Sequence, residues 1–373
     1  MRRQLSRAFF ILTLLPIAGL AADPTDFLLS QTWETPSCRR IVGTGAVTFT
    51  SDEGATLAPT TQRLRGTSYT LGLVALDAPD VLLAVQDRTL LRSANAGCRW
   101  TNLGTIPSFS DSFPLYLTAA PGERAYAWAD HREDLARIDG TQISVLLSPV
   151  PVIVGLGADP VNGDIVRLAG GDGSIWESTD GGGRWSLLGT LPKGISSTYR
   201  AAFDPADLDH IVFGTVQAGA FVSNDGALTW TQSIGFAPVG SMSNVFQTVI
   251  SPADGMVVWA MGLNFAEYDA GDPSQGKHIY RSTDGGATFS PVVDNSGNVT
   301  LVNGPVMAAH PTDASVLYFI FGTGFANYGT DLFRYDAGTA SLTHTHNAYD
   351  RVGAIAFSPA DPSYMYLGLS QDN

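Results

Sequence analysis

Nine side chains in this sequence have types and spacings that could do chemistry. Asp130 and His131 adjoin in "WADHRED" (128–134), Glu267, Tyr268 and His278 share "LNFAEYDAGDPSQGKH" (263–278), His344 and His346 alternate in "THTHN", and Arg200 and Arg351 stand alone. Cleaving a glycosidic bond takes two carboxylates facing each other about 5 to 10 Å apart. Asp130, Glu133, Asp134, Glu267, Asp269, Asp272 and Asp350 are the acids available for that. Alternation turns the His344 and His346 rings to one side of an extended strand, as half of a zinc site would. Exposed loop histidines are the simpler reading, so neither metal nor cofactor is expected. No Gly-x-Ser-x-Gly elbow, His-Glu-x-x-His helix or phosphate loop occurs. The glycine-rich "GGDGSIW" (170–176) reads as an Asp-Gly hairpin.

The elements that position these residues follow from a repeat. Ser-x-Asp-x-Gly-x-x-aromatic recurs at Ser178–Trp185, Ser223–Trp230 (with Ala227 at the glycine position) and Ser282–Phe289, with Asp180, Asp225 and Asp284 at the centres and Gly182 in the first copy. Weaker copies centre on Asp52, Asn95, Asp139 and Asp336. The spacing, between 41 and 59 residues, is that of one four-stranded propeller blade. Ahead of each box an apolar strand ends in a Pro/Asp turn such as "FDPADLDHIVFG" or "ISPADGMVVWA", and no stretch has sustained helical periodicity. Residues 351–373 supply two inner strands and residues 41–60 the box-bearing pair that lacks them. Joining the two completes a seventh blade and removes the open sheet edge.

In such a ring the loops between second and third strands share one face, around the channel mouth, with those joining one blade to the next. All nine candidates fall there, and the longest loops, 263–278 and 321–331, lie in blades five and six. His210 and His310 fall in turns of the other face and read as structural.

Residues 1–22 have the form of a secretory signal peptide: Arg2, Arg3 and Arg7, the apolar run 8–20, then small residues. Residues 23–40 form an arm and 41–373 the ring. Beyond the leader, 18 basic residues face 35 acidic ones, a net −17 that repels nucleic acid and anionic lipid. An exported monomer without membrane insertion is expected. The chain's two cysteines, Cys38 and Cys98, predict one disulfide tying the arm to blade one.

The box resembles the Asp-box, or BNR, repeat of sialidases, sortilin-type receptor domains, xyloglucan-active hydrolases and photosystem assembly factors. The resemblance implies an all-β, seven-bladed propeller of four-stranded blades, with the boxes in turns opposite the ligand face. Their Ser, Asp and Gly would staple the turn while Trp185, Trp230 and Phe289 pack between blades. It decides no activity, because many functions share the fold. Sialidase chemistry would require three arginines, a Tyr–Glu pair and an Arg-Ile-Pro string, and only "RRIVG" and "RIDG" approach the last. The expectation is a non-catalytic platform for a protein or glycan at the channel mouth, with glycoside hydrolysis there as the alternative.

Overall fold

The computed structural model describes residues 32–107, 115–195, 197–304, 306–321, 330–347 and 351–371. The expected signal peptide at residues 1–22, most of the 321–331 loop and Asp350 lie outside the described residues. Six antiparallel sheets have four strands each, joined in chain order. Blade one, for instance, runs Thr70–Ala75, Val81–Gln86, Thr89–Ala94 and Trp100–Thr105. The seventh blade places Val47–Thr50 beside Met365–Ser370 and Arg351–Phe357, with Val47 opposite Gly368 and Thr50 opposite Met365. The fold is a seven-bladed β-propeller closed by its two ends.

Hydrophobicity within a blade follows distance from the axis. The second strands are covered on both faces by neighbouring blades, and so read as apolar runs: "VLLAVQ" in blade one is buried from Val81 to Val85. Outer strands meet solvent, and Trp100–Thr105 buries only its first residue fully. First strands touch one another round the ring. Their glycines permit that approach, since a Cβ on Gly155 would lie 2.5 Å from Ala201 O and one on Gly353 2.7 Å from Thr70 O. Among the described residues, seven apolar clusters fill the seven seams between blades. Each box aromatic enters the seam with the preceding blade: Trp185 beside Tyr126, Trp230 on Phe213, Phe289 on Phe236.

The box is a hydrogen-bonded turn. In blade four Ser223 Oγ donates to Asp225 Oδ1 (2.9 Å) and accepts from Ala227 N (2.9 Å), and Asp225 accepts from Thr229 N (2.8 Å). The copies at Ser178–Asp180 and Ser282–Asp284 have the same bonds. So do two of the weak ones, with Thr50 replacing serine before Asp52 and Asn95 replacing aspartate, whereas Asp139 meets Arg124 and Arg137 and Asp336 accepts from Gly338 N and Thr339 N. The Arg184 N–H and the Ser178 hydroxyl hold Asp180 below the usual carboxylate range, and the Thr229 hydroxyl and N–H do so for Asp225.

Two features depart from the regular plan. The closing blade has three strands, because after Ala58 N bonds Phe49 O the chain reaches Pro59, which has no donor, and Thr60 pairs instead with Ile41 at the start of the ring segment. Blade five carries a short helix, Phe265–Ala270, that its sequence periodicity does not announce. Asn264 caps its start and Gly271, at φ 73°, its end. Cys38 and Cys98 form the expected disulfide, Cα atoms 5.7 Å apart. The arm continues along blade one, where Trp33 Nε1 donates to Leu76 O (3.1 Å).

Candidate functional site

At the mouth end the inner strand of blade four, Thr198–Phe203, has a bulge between Thr198 and Ala201. A bulge re-aims the side chains within it. Here it sends Arg200 across to blade two, where Nη2 donates to Asp130 Oδ2 at 2.7 Å and the guanidinium lies 4.3 Å from the Tyr116 ring centre. Tyr116 stacks on Trp128 at 5.1 Å, and Trp128 Nε1 is held by the Thr118 hydroxyl. Asp130 follows the second strand of blade two, and the turn after it adds a rung to blade three through His131 N to Ile153 O (2.8 Å) and Ile153 N to Arg132 O (2.9 Å). That turn puts His131 at φ 59°, with Nδ1 3.1 Å from Asp130 Oδ1. Burial disfavours charge on Asp130, yet His131 and Arg200 outweigh it and keep the carboxyl below its ordinary range. Asp130 in turn raises the His131 imidazole, whose side chain is half exposed.

A second cluster sits on blade five. Buried His278 on strand Lys277–Ser282 has carboxylates at both ring nitrogens: Glu267 Oε2 at 2.5 Å from Nε2 and Asp294 Oδ1 at 2.7 Å from Nδ1. Glu267 belongs to the short helix, and Asn264 Nδ2 donates to its other oxygen (2.8 Å). Both carboxylates and burial push the neighbouring Tyr280 hydroxyl well above its usual range, burial most of all. Tyr268, next on the helix, is exposed, as are Met242, whose carbonyl accepts from Phe265 N, and Val239.

The sequence-derived candidates thus separate. Asp130, His131 and Arg200 come together, as do Glu267 and His278, while His344 and His346 lie apart on the outermost strand of blade six, Ser341–Asn347. There His344 stacks on Phe333 and His346 Nδ1 meets Asp331 at 2.6 Å. Arg351 is buried at the start of the closing blade's inner strand. Of the acids proposed for hydrolysis, Asp130 and Glu267 are closed onto neighbouring cationic or imidazole groups, Asp134 is buried and Asp272 accepts from Ser274 N. Tyr116, Trp128 and Asp294 complete the clusters. Asp294 became legible only with the register that sets it opposite His278. On the other face, turns of blades one to four enclose a cavity of about 380 Å³ lined by Thr118, Leu156, Phe203 and Asp204 among others.

At 48% identity over 357 residues, 95% of this chain aligns with 93% of the dispase autolysis-inducing protein of Streptomyces mobaraensis. The chain belongs to the dispase autolysis-inducing protein family. A Paenibacillus xyloglucanase is 29% identical over 251 residues, 58% of this chain and 23% of that enzyme. Among solved structures, the GH74 enzyme of Niastella koreensis superposes with a TM-score of 0.59 at 16% identity, over 82% of this chain and 52% of that one. YCF48 from Cyanidioschyzon merolae gives 0.54 at 13%, over 82% and 96%. At those identities the likeness is one of fold. No protein-family model matches the chain.

Proposed function

We propose that this chain is an exported protein-binding propeller that engages a dispase-type protease and hastens its self-digestion. The observation that carries this reading is the 48% identity, along nearly the whole of both chains, to a protein named for inducing dispase autolysis. The mouth supplies suitable contacts. Arg200 is packed on Tyr116 and Trp128, exposed Met242 and Tyr268 fringe the blade-five helix, and Val239 is exposed three residues before Met242. Arginine, tyrosine and tryptophan dominate binding energy at protein interfaces. A rigid ring that favours a locally opened form of the protease shifts that population, and neighbouring protease molecules cut what is opened. The disulfide fits an oxidising destination reached through the 1–22 leader. The stapled turns are read here as Asp-box repeats with an architectural role.

The test incubates purified chain with dispase and follows intact protease by gel and residual activity. Loss of intact dispase should accelerate with added chain, and Arg200→Ala should weaken the effect about tenfold at unchanged fold. An unaltered dispase half-life at equimolar chain refutes the reading.

A further inference from the structure

Six arginines of this ring are tied to acids. Arg92, Arg124, Arg137, Arg167, Arg200 and Arg334 all reach carboxylates. At the outer edge of the closing seam the pattern reverses. The stretches 35–51 and 54–76 contain four arginines, Arg39, Arg40, Arg63 and Arg65, and not one Asp or Glu. Backbone pairing brings them beside Arg99: Ile41 bridges Thr60, Val42 bridges Arg99, and the disulfide fixes Cys38 to Cys98. All five are exposed and, among the described residues, none has a carboxylate partner. Residues Thr61 to Arg65 line a hollow of about 570 Å³ beside them. The two acids between the stretches are occupied, Asp52 within its box and Glu53 with Arg334.

We propose that this arginine-lined hollow takes a carboxylate-rich segment of the protein partner, as a second contact separate from the mouth. It rests on the reading that the partner is a protein. Guanidinium forks match carboxylates in bidentate pairs. On a chain of net −14 such a patch stands out to an acidic partner, so it fixes orientation as well as attraction. The same overall charge disfavours nucleic acid, and no exposed aromatic stands in the 59–65 segment to stack bases.

The experiment measures retention on immobilised poly-L-glutamate across a salt gradient for the wild type, Arg63→Glu/Arg65→Glu, and a control of equal charge change, Arg184→Glu/Lys193→Glu, at exposed positions elsewhere. Circular dichroism checks each fold, and Arg63→Gln/Arg65→Gln serves if the reversal fails to fold. The patch variant should bind at least tenfold more weakly while the control stays within threefold of wild type. Equal losses in both variants, no retention of the wild type, or tighter retention on DNA than on poly-L-glutamate overturns the proposal. Dispase digestion followed alongside separates the two ideas: a wild type that leaves dispase intact defeats the functional reading, while poly-L-glutamate retention still judges the hollow.

Discussion

Removing His210 should loosen the joint between blades four and five, and do so more in acid than in base. Its Nδ1 lies 3.1 Å from Asp204 Oδ2 in its own blade and its Nε2 2.9 Å from Gly285 O in the box of the next. Both partners are acceptors, so only the doubly protonated ring serves both. Burial opposes that charge, but Asp204 and the Gly285 carbonyl prevail and raise the imidazole above its ordinary 6.5. Hydrogen bonds involving a charged group contribute about 1.5 to 3 kcal/mol each. In His210→Ala, Asp204 keeps the N–H of Ala206 at 2.8 Å, so the carboxylate is not orphaned and the loss belongs at the lower end, about 3 kcal/mol in all. With unfolding entropy near 2.1 cal/mol/K per residue, a ring of this length loses roughly 4 °C in Tm. A folded value above the unfolded one means the contribution is complete below 6.5 and fades as pH rises through the raised value. Scanning calorimetry at about pH 5.5 and about pH 9 should therefore show a wider gap between wild type and variant in acid, narrowing by about one hydrogen bond in base. An equal gap at both pH values, or one that widens in base, refutes the reasoning.

Two further outcomes follow from the staples. Ser223→Ala strands the Ala227 N–H and one bond to Asp225 in a buried turn, costing about 1 to 3 kcal/mol in urea unfolding, whereas an effect below about 0.5 would deny the box its role. Asp180 and Asp225 titrate below the ordinary carboxylate, so their stabilisation is present above 3.8 and drains away as pH falls through the folded values; Asp225→Asn should flatten the acid limb. Replacing Cys38 and Cys98 by serine frees a 60-residue separation, worth about 4 kcal/mol by chain entropy, read as a lower denaturant midpoint. A midpoint unchanged by the double replacement would place that arm outside the cooperative unit.

Much of the architecture was legible because it repeats: apolar second strands, Pro/Asp turns and boxes recur in phase, and the paired ends follow from them, while the cystine was legible from there being two cysteines. What was not legible depends on distant partners. Arg200 and Asp130 were separately visible, but their meeting across 70 residues depends on a bulge that shifts register by a residue or two. Asp294 lacked any local mark, and Tyr116 and Trp128 looked like ordinary strand aromatics. Thr50 stood outside the serine pattern although its hydroxyl makes the same bonds. The closing blade lost its regular outer strand to the bridge between Thr60 and Ile41, a competition set by Pro59 that no periodicity encodes.

The clasp between the chain's two ends has a temporal meaning. Val47 faces Gly368, and Thr70 N reaches Ser370 Oγ across 300 residues. Loop closure over such a span adds little entropy cost beyond that of a shorter one, but it cannot begin until the last strands exist. A polypeptide still emerging from a ribosome thus stays an unlocked arc of blades, and becomes a sealed wheel only when the strand Met365–Ser370 arrives.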